Sequence, residues 1–173
     1  MVDPNELLEN ARLIYEFIEG NPGMHLREIS RELNIHSSTL RYHLGYLEKK
    51  GLIISKKEEN VRIFFIADKL SSEDKNITPL LQQKRFRDII LFIIISDETT
   101  HSEIYKKLSM KPSTLSKYIG ILESRRIVKH TKSGREKHYY IEDEQRVMEL
   151  LLTYKKSFWD PFVENVLEIY LER

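Results

Sequence analysis

Cysteine is absent from this 173-residue chain. That excludes disulfides, cysteine-ligated zinc and thiol chemistry, and fits a reducing interior. Long apolar runs are also missing. The longest, Ile89-Ile90-Leu91-Phe92-Ile93-Ile94-Ile95, falls far short of the ~20 residues a membrane-spanning helix needs. Its lack of a polar face predicts a helix buried on more than one side. Met1-Val2-Asp3-Pro4 has neither the basic nor the apolar region of a signal peptide. A cytoplasmic location with no membrane partner is the expectation. There is no glycine-rich phosphate loop, no nucleophile elbow and no carboxylate pair set apart from surface charge, so neither an enzyme nor a cofactor is expected. Even net charge is nearly lacking, at +1, and says nothing of nucleic acid by itself. With 40% hydrophobic and 32% charged residues the chain reads as soluble and globular.

What is present is a repeat. His36-Ser37-Ser38-Thr39-Leu40-Arg41-Tyr42-His43-Leu44-Gly45-Tyr46-Leu47-Glu48 aligns without a gap on Lys111-Pro112-Ser113-Thr114-Leu115-Ser116-Lys117-Tyr118-Ile119-Gly120-Ile121-Leu122-Glu123, at a shift of 75. From His25/Thr100 to Asp68/Asp143 the copies share 12 identities in 44 positions. A period of this length marks a duplicated supersecondary unit and predicts two small domains. The expected boundaries are a first domain over 1–68, a linker over 69–78, a second domain over 79–143 and C-terminal helices over 144–173. Charge follows the repeat. Lys and Arg less Asp and Glu come to −4 for residues 1–24, +2 for 25–68, 0 for 69–99, +5 for 100–143 and −2 for 144–173. Basic copies in an otherwise neutral or acidic chain supply the local asymmetry a phosphate-binding face requires. Ordinary solvated surface remains the alternative for the first copy.

Asp3 with Pro4 reads as a helix start, followed by Leu7, Leu8, Ala11, Ile14, Tyr15 and Ile18 at helical spacing. Gly20 and Asn21-Pro22-Gly23 stop it. A second helix is expected over 26–33, and its counterpart opens on the capping box Thr100-His101-Ser102-Glu103. The repeated helix runs roughly over 37–50 and 112–125, with Pro112 at a first helical position. Extended runs over 52–57 and 61–66, and over 127–132 and 136–141, read as hairpins. Thr78-Pro79 is expected to start the helix that carries the apolar run. Asp143 and Asp160-Pro161 are expected to open two last helices.

Helix, helix, turn, helix and hairpin is the order of a helix-turn-helix with a wing, a mainly α (α+β) fold with small β-hairpins. Leu40, Leu44 and Leu47 fall on one face of the repeated helix and pack inward. Ser37, Ser38, Arg41 and Tyr42 then lie on other faces near its N-terminus. Free N–H groups and the positive dipole end favour phosphate there, and side chains in the first turns reach base edges in the major groove.

Leu26 to Leu33, then Ser38-Thr39-Leu40-Arg41-Tyr42-His43-Leu44, then Leu47-Glu48-Lys49-Lys50-Gly51-Leu52-Ile53 resemble the winged helix-turn-helix of ArsR- and MarR-type transcription regulators. Two copies in one chain resemble archaeal tandem winged-helix regulators, a group that includes an activator of archaellum genes. The resemblance implies that Ser37, Ser38, Thr39, Arg41 and Tyr42 face DNA in the first copy, with Lys56, Lys57 and Arg62 on its wing. In the second copy it implies Lys111, Ser113, Thr114, Ser116 and Lys117, with Lys132, Arg135 and Lys137 on the wing. The residues themselves rank these positions. One acid, Glu136, stands among the many cations of Lys129 to His138, which suits phosphate or minor-groove contact. Glu58-Glu59 at the first wing tip would repel phosphate.

Blander roles stand beside these. Thr39 and Thr114 can support the turn, Arg41 and Lys117 can be solvated helix charges, and Tyr42 and His43 can pack; for His43 packing is the expectation. ArsR-type metal sensors use Cys/His/Asp clusters, which are missing here. Among the six histidines no pair at ligand spacing is backed by carboxylates, so no metal site is expected. The apolar C-terminal residues, including Phe158, Trp159 and Phe162, are expected to form a homodimer interface or to pack on the first copy. The expected function is sequence-specific binding of double-stranded DNA by a transcription regulator, with the basal transcription machinery as a further partner. The alternative is a tandem winged-helix protein-interaction module of a transcription or chromosome-segregation complex.

Overall fold

The computed structural model describes residues 8–58, 60–158 and 160–172. Asp3, Pro4, Leu7, Glu59 and Trp159, each singled out above, lie outside the described residues. The fold is mainly α with two small antiparallel sheets, and the chain divides into two compact units between Gln82 and Gln83.

The first unit runs α1 (Glu9–Gly20), β1 (Met24–His25), α2 (Leu26–Leu33), α3 (Ser37–Lys49), β2 (Ile53–Glu58), β3 (Val61–Ile66) and α4 (Asp74–Gln82). Its sheet has the order β1-β3-β2. His25 caps α2 through a capping box with Glu28, and Asn34 ends the helix in the left-handed region at φ 50°. Gly51 follows α3 at φ 71°, where a glycine carries no Cβ penalty. Ala11, Ile14, Ile18, Ile29, Leu40, Leu44, Leu47, Leu52, Ile53, Phe64 and Ile66 form one buried cluster beneath the three helices and the sheet.

The second unit repeats this plan at a constant offset. It runs α5 (Lys84–Ile95), β4 (Thr99–Thr100), α6 (His101–Lys107), α7 (Pro112–Ser124), β5 (Val128–Ser133), β6 (Glu136–Ile141), α8 (Glu144–Thr153), α9 (Lys155–Phe158) and α10 (Pro161–Leu171). Its sheet order is β4-β6-β5. Each sheet pairing recurs 75 residues on, from Met24↔Phe64 and Thr99↔Tyr139 to Glu58↔Val61 and Ser133↔Glu136. Left-handed residues recur as well: Asn34 with Ser109, and Gly51 with Arg126. All eleven residues of the first cluster have buried counterparts, Phe86, Ile89, Ile93, Ile104, Leu115, Ile119, Leu122, Ile127, Val128, Tyr139 and Ile141. The offset also relates α1 to α5, which extends the duplication upstream of the span legible in sequence.

Two expectations are corrected. Residues 74–78 of the expected linker belong to α4. Ser71 Oγ accepts from the Asp74 N–H at 3.0 Å and Asp74 Oδ2 accepts from the Ser71 N–H at 3.2 Å, so the polar run is a helix start. Thr78-Pro79 does not open the apolar helix. Pro79 lies inside α4, and α5 starts separately at Lys84 after an extended Gln83. In the second unit α10 packs on α5 and α8, which buries Val163, Val166 and Leu167. The reason is visible on α5. Buried Leu91 and Ile94 stand where α1 carries Glu16 and Glu19, so α5 has a second apolar side, as its sequence predicted.

Gly23 sits at φ +82°, donates its N–H to the Phe64 carbonyl at 2.9 Å and faces Pro79. A Cβ there would lie 3.2 Å from Pro79 Cγ. Gly23→Ala is expected to cost about 2 kcal/mol of first-unit stability, from left-handed strain and overpacking together. Urea unfolding with an unshifted midpoint would show that Pro79 and the turn relax without cost.

Candidate nucleic-acid interface

The interface is built on α3 and its counterpart α7. Leu40, Leu44 and Leu47 are buried, which turns Ser38, Thr39, Arg41 and Tyr42 outward, while Ser37 is half-buried. Tyr42 is 67% exposed and His43 only 7%. His43 packs edge-on to Tyr42 at 5.2 Å between ring centroids, so its role is packing, as expected. His36 caps α3: its Nδ1 accepts from the Ser38 N–H at 3.4 Å and lies 2.8 Å from Ser38 Oγ. In α7 the cap position is Lys111, with no side-chain cap bond, and Pro112 follows at the first helical position. Lys111, Ser113, Thr114, Ser116 and Lys117 are all exposed. Ser116 Oγ donates to the Pro112 carbonyl at 3.0 Å and lies 3.1 Å from His101 Nε2 on α6. Burial pushes the His101 imidazole below its ordinary pKa. Hydrogen bonds from the Thr100 N–H and from the Thr100 and Thr99 hydroxyls hold Glu103, the other half of that helix's cap, below the usual carboxylate range.

The wings share a register and differ in their counter-charges. In the first, Lys57 lies directly across from Arg62. Arg62 Nη2 donates to Glu48 Oε1 at 2.6 Å and to Ser55 Oγ at 2.5 Å, and its guanidinium lies over the Phe64 ring. Ser55 Oγ in turn donates to Glu48 Oε1 at 2.6 Å. Lys56 is half-buried, donating to Asn76 Oδ1 at 2.6 Å and pairing with Glu58 at 3.5 Å. Lys57 alone of the three cations keeps an exposed side chain with no ion-pair partner among the described residues.

In the second wing Lys132 lies directly across from Lys137. The two-residue loop Gly134-Arg135 closes the hairpin, with Gly134 at φ 63°. Lys132, Arg135 and Lys137 are exposed, and none has a hydrogen-bond or ion-pair partner among the described residues. Glu123, the counterpart of Glu48, is taken by His130 Nδ1 at 2.6 Å. Like charges directly opposite in a ladder are destabilising. The second wing therefore presents a cationic strip whose Lys132, Arg135 and Lys137 are not relieved by an ion pair among the described residues, a cost that a bound polyanion would offset. No group of His, Asp and Glu able to hold a metal ion is found among the described residues.

A short strand, two helices joined through a left-handed turn and a three-stranded sheet define a winged helix-turn-helix. Residues 7–54 match the family model for winged helix-turn-helix DNA-binding domains. The chain is also similar to an uncharacterized HTH-type transcriptional regulator of Methanocaldococcus jannaschii, at 37% identity over 146 residues. That match covers 83% of this chain and 36% of the relative, so the chain spans about a third of that protein's length. A crystal structure of an ArsR family transcriptional regulator superimposes only loosely, with a TM-score of 0.38 and 24% identity over 51% of this chain and 92% of that one.

Proposed function

We propose that the chain is a sequence-specific, double-stranded DNA-binding transcription regulator with a winged helix in each unit. The observation that carries this reading is the 75-residue offset, which repeats caps, sheet register and buried cluster, and so extends to residues 82–129 what the family match says of 7–54. The unrelieved cationic wing of the second unit supports the same reading, and so does the regulator name of the archaeal relative. In this reading α3 and α7 each enter a major groove. Ser37, Ser38, Thr39, Arg41 and Tyr42 of one, and Lys111, Ser113, Thr114, Ser116 and Lys117 of the other, reach base edges or flanking phosphates. Arg41-Tyr42 and Ser116-Lys117 differ in chemistry, so the two half-sites differ.

Selection of bound genomic fragments, followed by gel shift, tests this. Arg41→Ala or Lys117→Ala is expected to lower affinity for the selected site by ~1–3 kcal/mol while binding to random duplex changes little. A chain with no salt-sensitive binding to any duplex would point instead to a protein-interaction module.

A further inference from the structure

Resting on that reading, the comparison of equivalent wing positions goes one step further. Glu48 and Glu123 occupy the same place on their helices, each facing the root of its wing. Their partners differ. Glu48 accepts from Arg62 at 2.6 Å, whereas Glu123 lies 2.6 Å from His130 and leaves Lys137, the counterpart of Arg62, without an ion-pair partner. We propose that Glu48 is a positioning residue that withholds Arg62 from phosphate, so that the two wings hold the DNA backbone unequally, the second more strongly than the first.

The geometry explains how one carboxylate does this. The Glu48 side chain is 26% exposed and the Arg62 side chain 59%. The acid is thus the better buried partner, and Ser55 holds the same oxygen. Arg62 is also laid along the Phe64 ring, 5.6 Å from its centroid, rather than extended from the strand. Reaching a phosphate would require breaking the bonds to Glu48 and Ser55 and would leave the Glu48 carboxylate facing the DNA. Lys137 has neither restraint. Its counterpart acid already has a partner across the root of the wing, and Lys132 opposite repels it outward. The cations the first wing offers thus reduce to Lys57, while the second offers Lys132, Arg135 and Lys137.

The test measures binding of the full chain to a random-sequence duplex by fluorescence anisotropy between 50 and 200 mM salt. Each phosphate contact contributes ~0.9 to the slope of log affinity against log salt, or about 3.5-fold across this range. Lys137→Ala is expected to flatten the slope by ~0.9 and Arg62→Ala to leave it unchanged. Glu48→Ala, which releases Arg62, is expected to steepen it by ~0.9, and Glu48→Ala/Arg62→Ala to restore the wild-type slope. A purely structural role for Glu48 would lower stability without steepening the slope. Salt-sensitive wild-type binding with equal losses for Arg62→Ala and Lys137→Ala overturns the inference and leaves the DNA reading intact. Salt-insensitive wild-type binding overturns both.

Discussion

Replacing Lys132, Arg135 and Lys137 together by alanine is expected to flatten the salt dependence of duplex binding by ~2.7, since each removed phosphate contact takes away ~0.9. Across 50 to 200 mM salt this is about a 40-fold smaller loss of affinity. The effect should be nearly the same for the selected site and for random duplex, because phosphate contacts position a protein on DNA without reading it. All three side chains are exposed, and the hairpin that carries them is held by the β5–β6 ladder rather than by their charges. Removing the unrelieved Lys132–Lys137 pair should even stabilise the hairpin slightly. A melting temperature equal to or above that of the parent chain, together with the flattened slope, is the expected pair of results. An unchanged slope would remove the second wing from the interface.

The other large effect concerns stability. Asp160 does two jobs with its two oxygens. Oδ1 caps α10 by accepting from the Phe162 and Val163 N–H groups at 2.9 and 3.1 Å. Oδ2 accepts from Arg87 Nη2 on α5 at 2.8 Å, with Lys84 at 3.4 Å. The Arg87 side chain is only 8% exposed and that of Asp160 17%, so this is a partly dry pair between two packed helices. Asp160→Ala is expected to cost about 3–5 kcal/mol, since it removes one partner of a buried pair and the cap together. Asp160→Asn keeps a capping oxygen and should cost about 1 kcal/mol less. Denaturant unfolding followed by circular dichroism measures this cost. A cost below 1 kcal/mol for Asp160→Ala would mean that apolar packing alone holds α10.

The pH dependence has a definite sign. Burial pushes the Asp160 carboxyl up, but the Arg87 hydrogen bond, the Val163 N–H and the charges of Arg87 and Lys84 outweigh it, so its pKa lies below the ordinary 3.8. A depressed folded-state pKa stabilises the fold fully above the unfolded carboxyl's pKa, and the contribution is lost as pH falls through the folded value. The stability difference between the parent chain and Asp160→Asn should therefore be largest at neutral pH and shrink below about pH 4.

How much of this was legible in sequence depends on how local each signal is. The capping box at Thr100 and Glu103, Pro112 at the start of α7, and the strands over 61–66 and 136–141 all follow from neighbours a few residues apart. The strands β1 and β4 were missed because two residues show no period. Helix α4 was missed because Ser71 and Asp74 look like linker residues until their reciprocal backbone bonds are seen. The α1–α5 equivalence was hidden because α5 has replaced polar residues of α1 with Leu91 and Ile94 to receive α10.

The duplication and the exposed chemistry of the two helix starts were determined by sequence alone, because periodicity and capping are properties of short stretches. The basic second wing belongs with them. Which charges are left to act was decided only by tertiary structure. Whether Arg62 meets Glu48, fourteen positions away, depends on strand register and on how the wing root faces α3. So does the choice of His130 rather than Lys137 by Glu123. A charge count over a segment sums cations and acids that never meet together with those that neutralise each other, and only the packed fold separates the two.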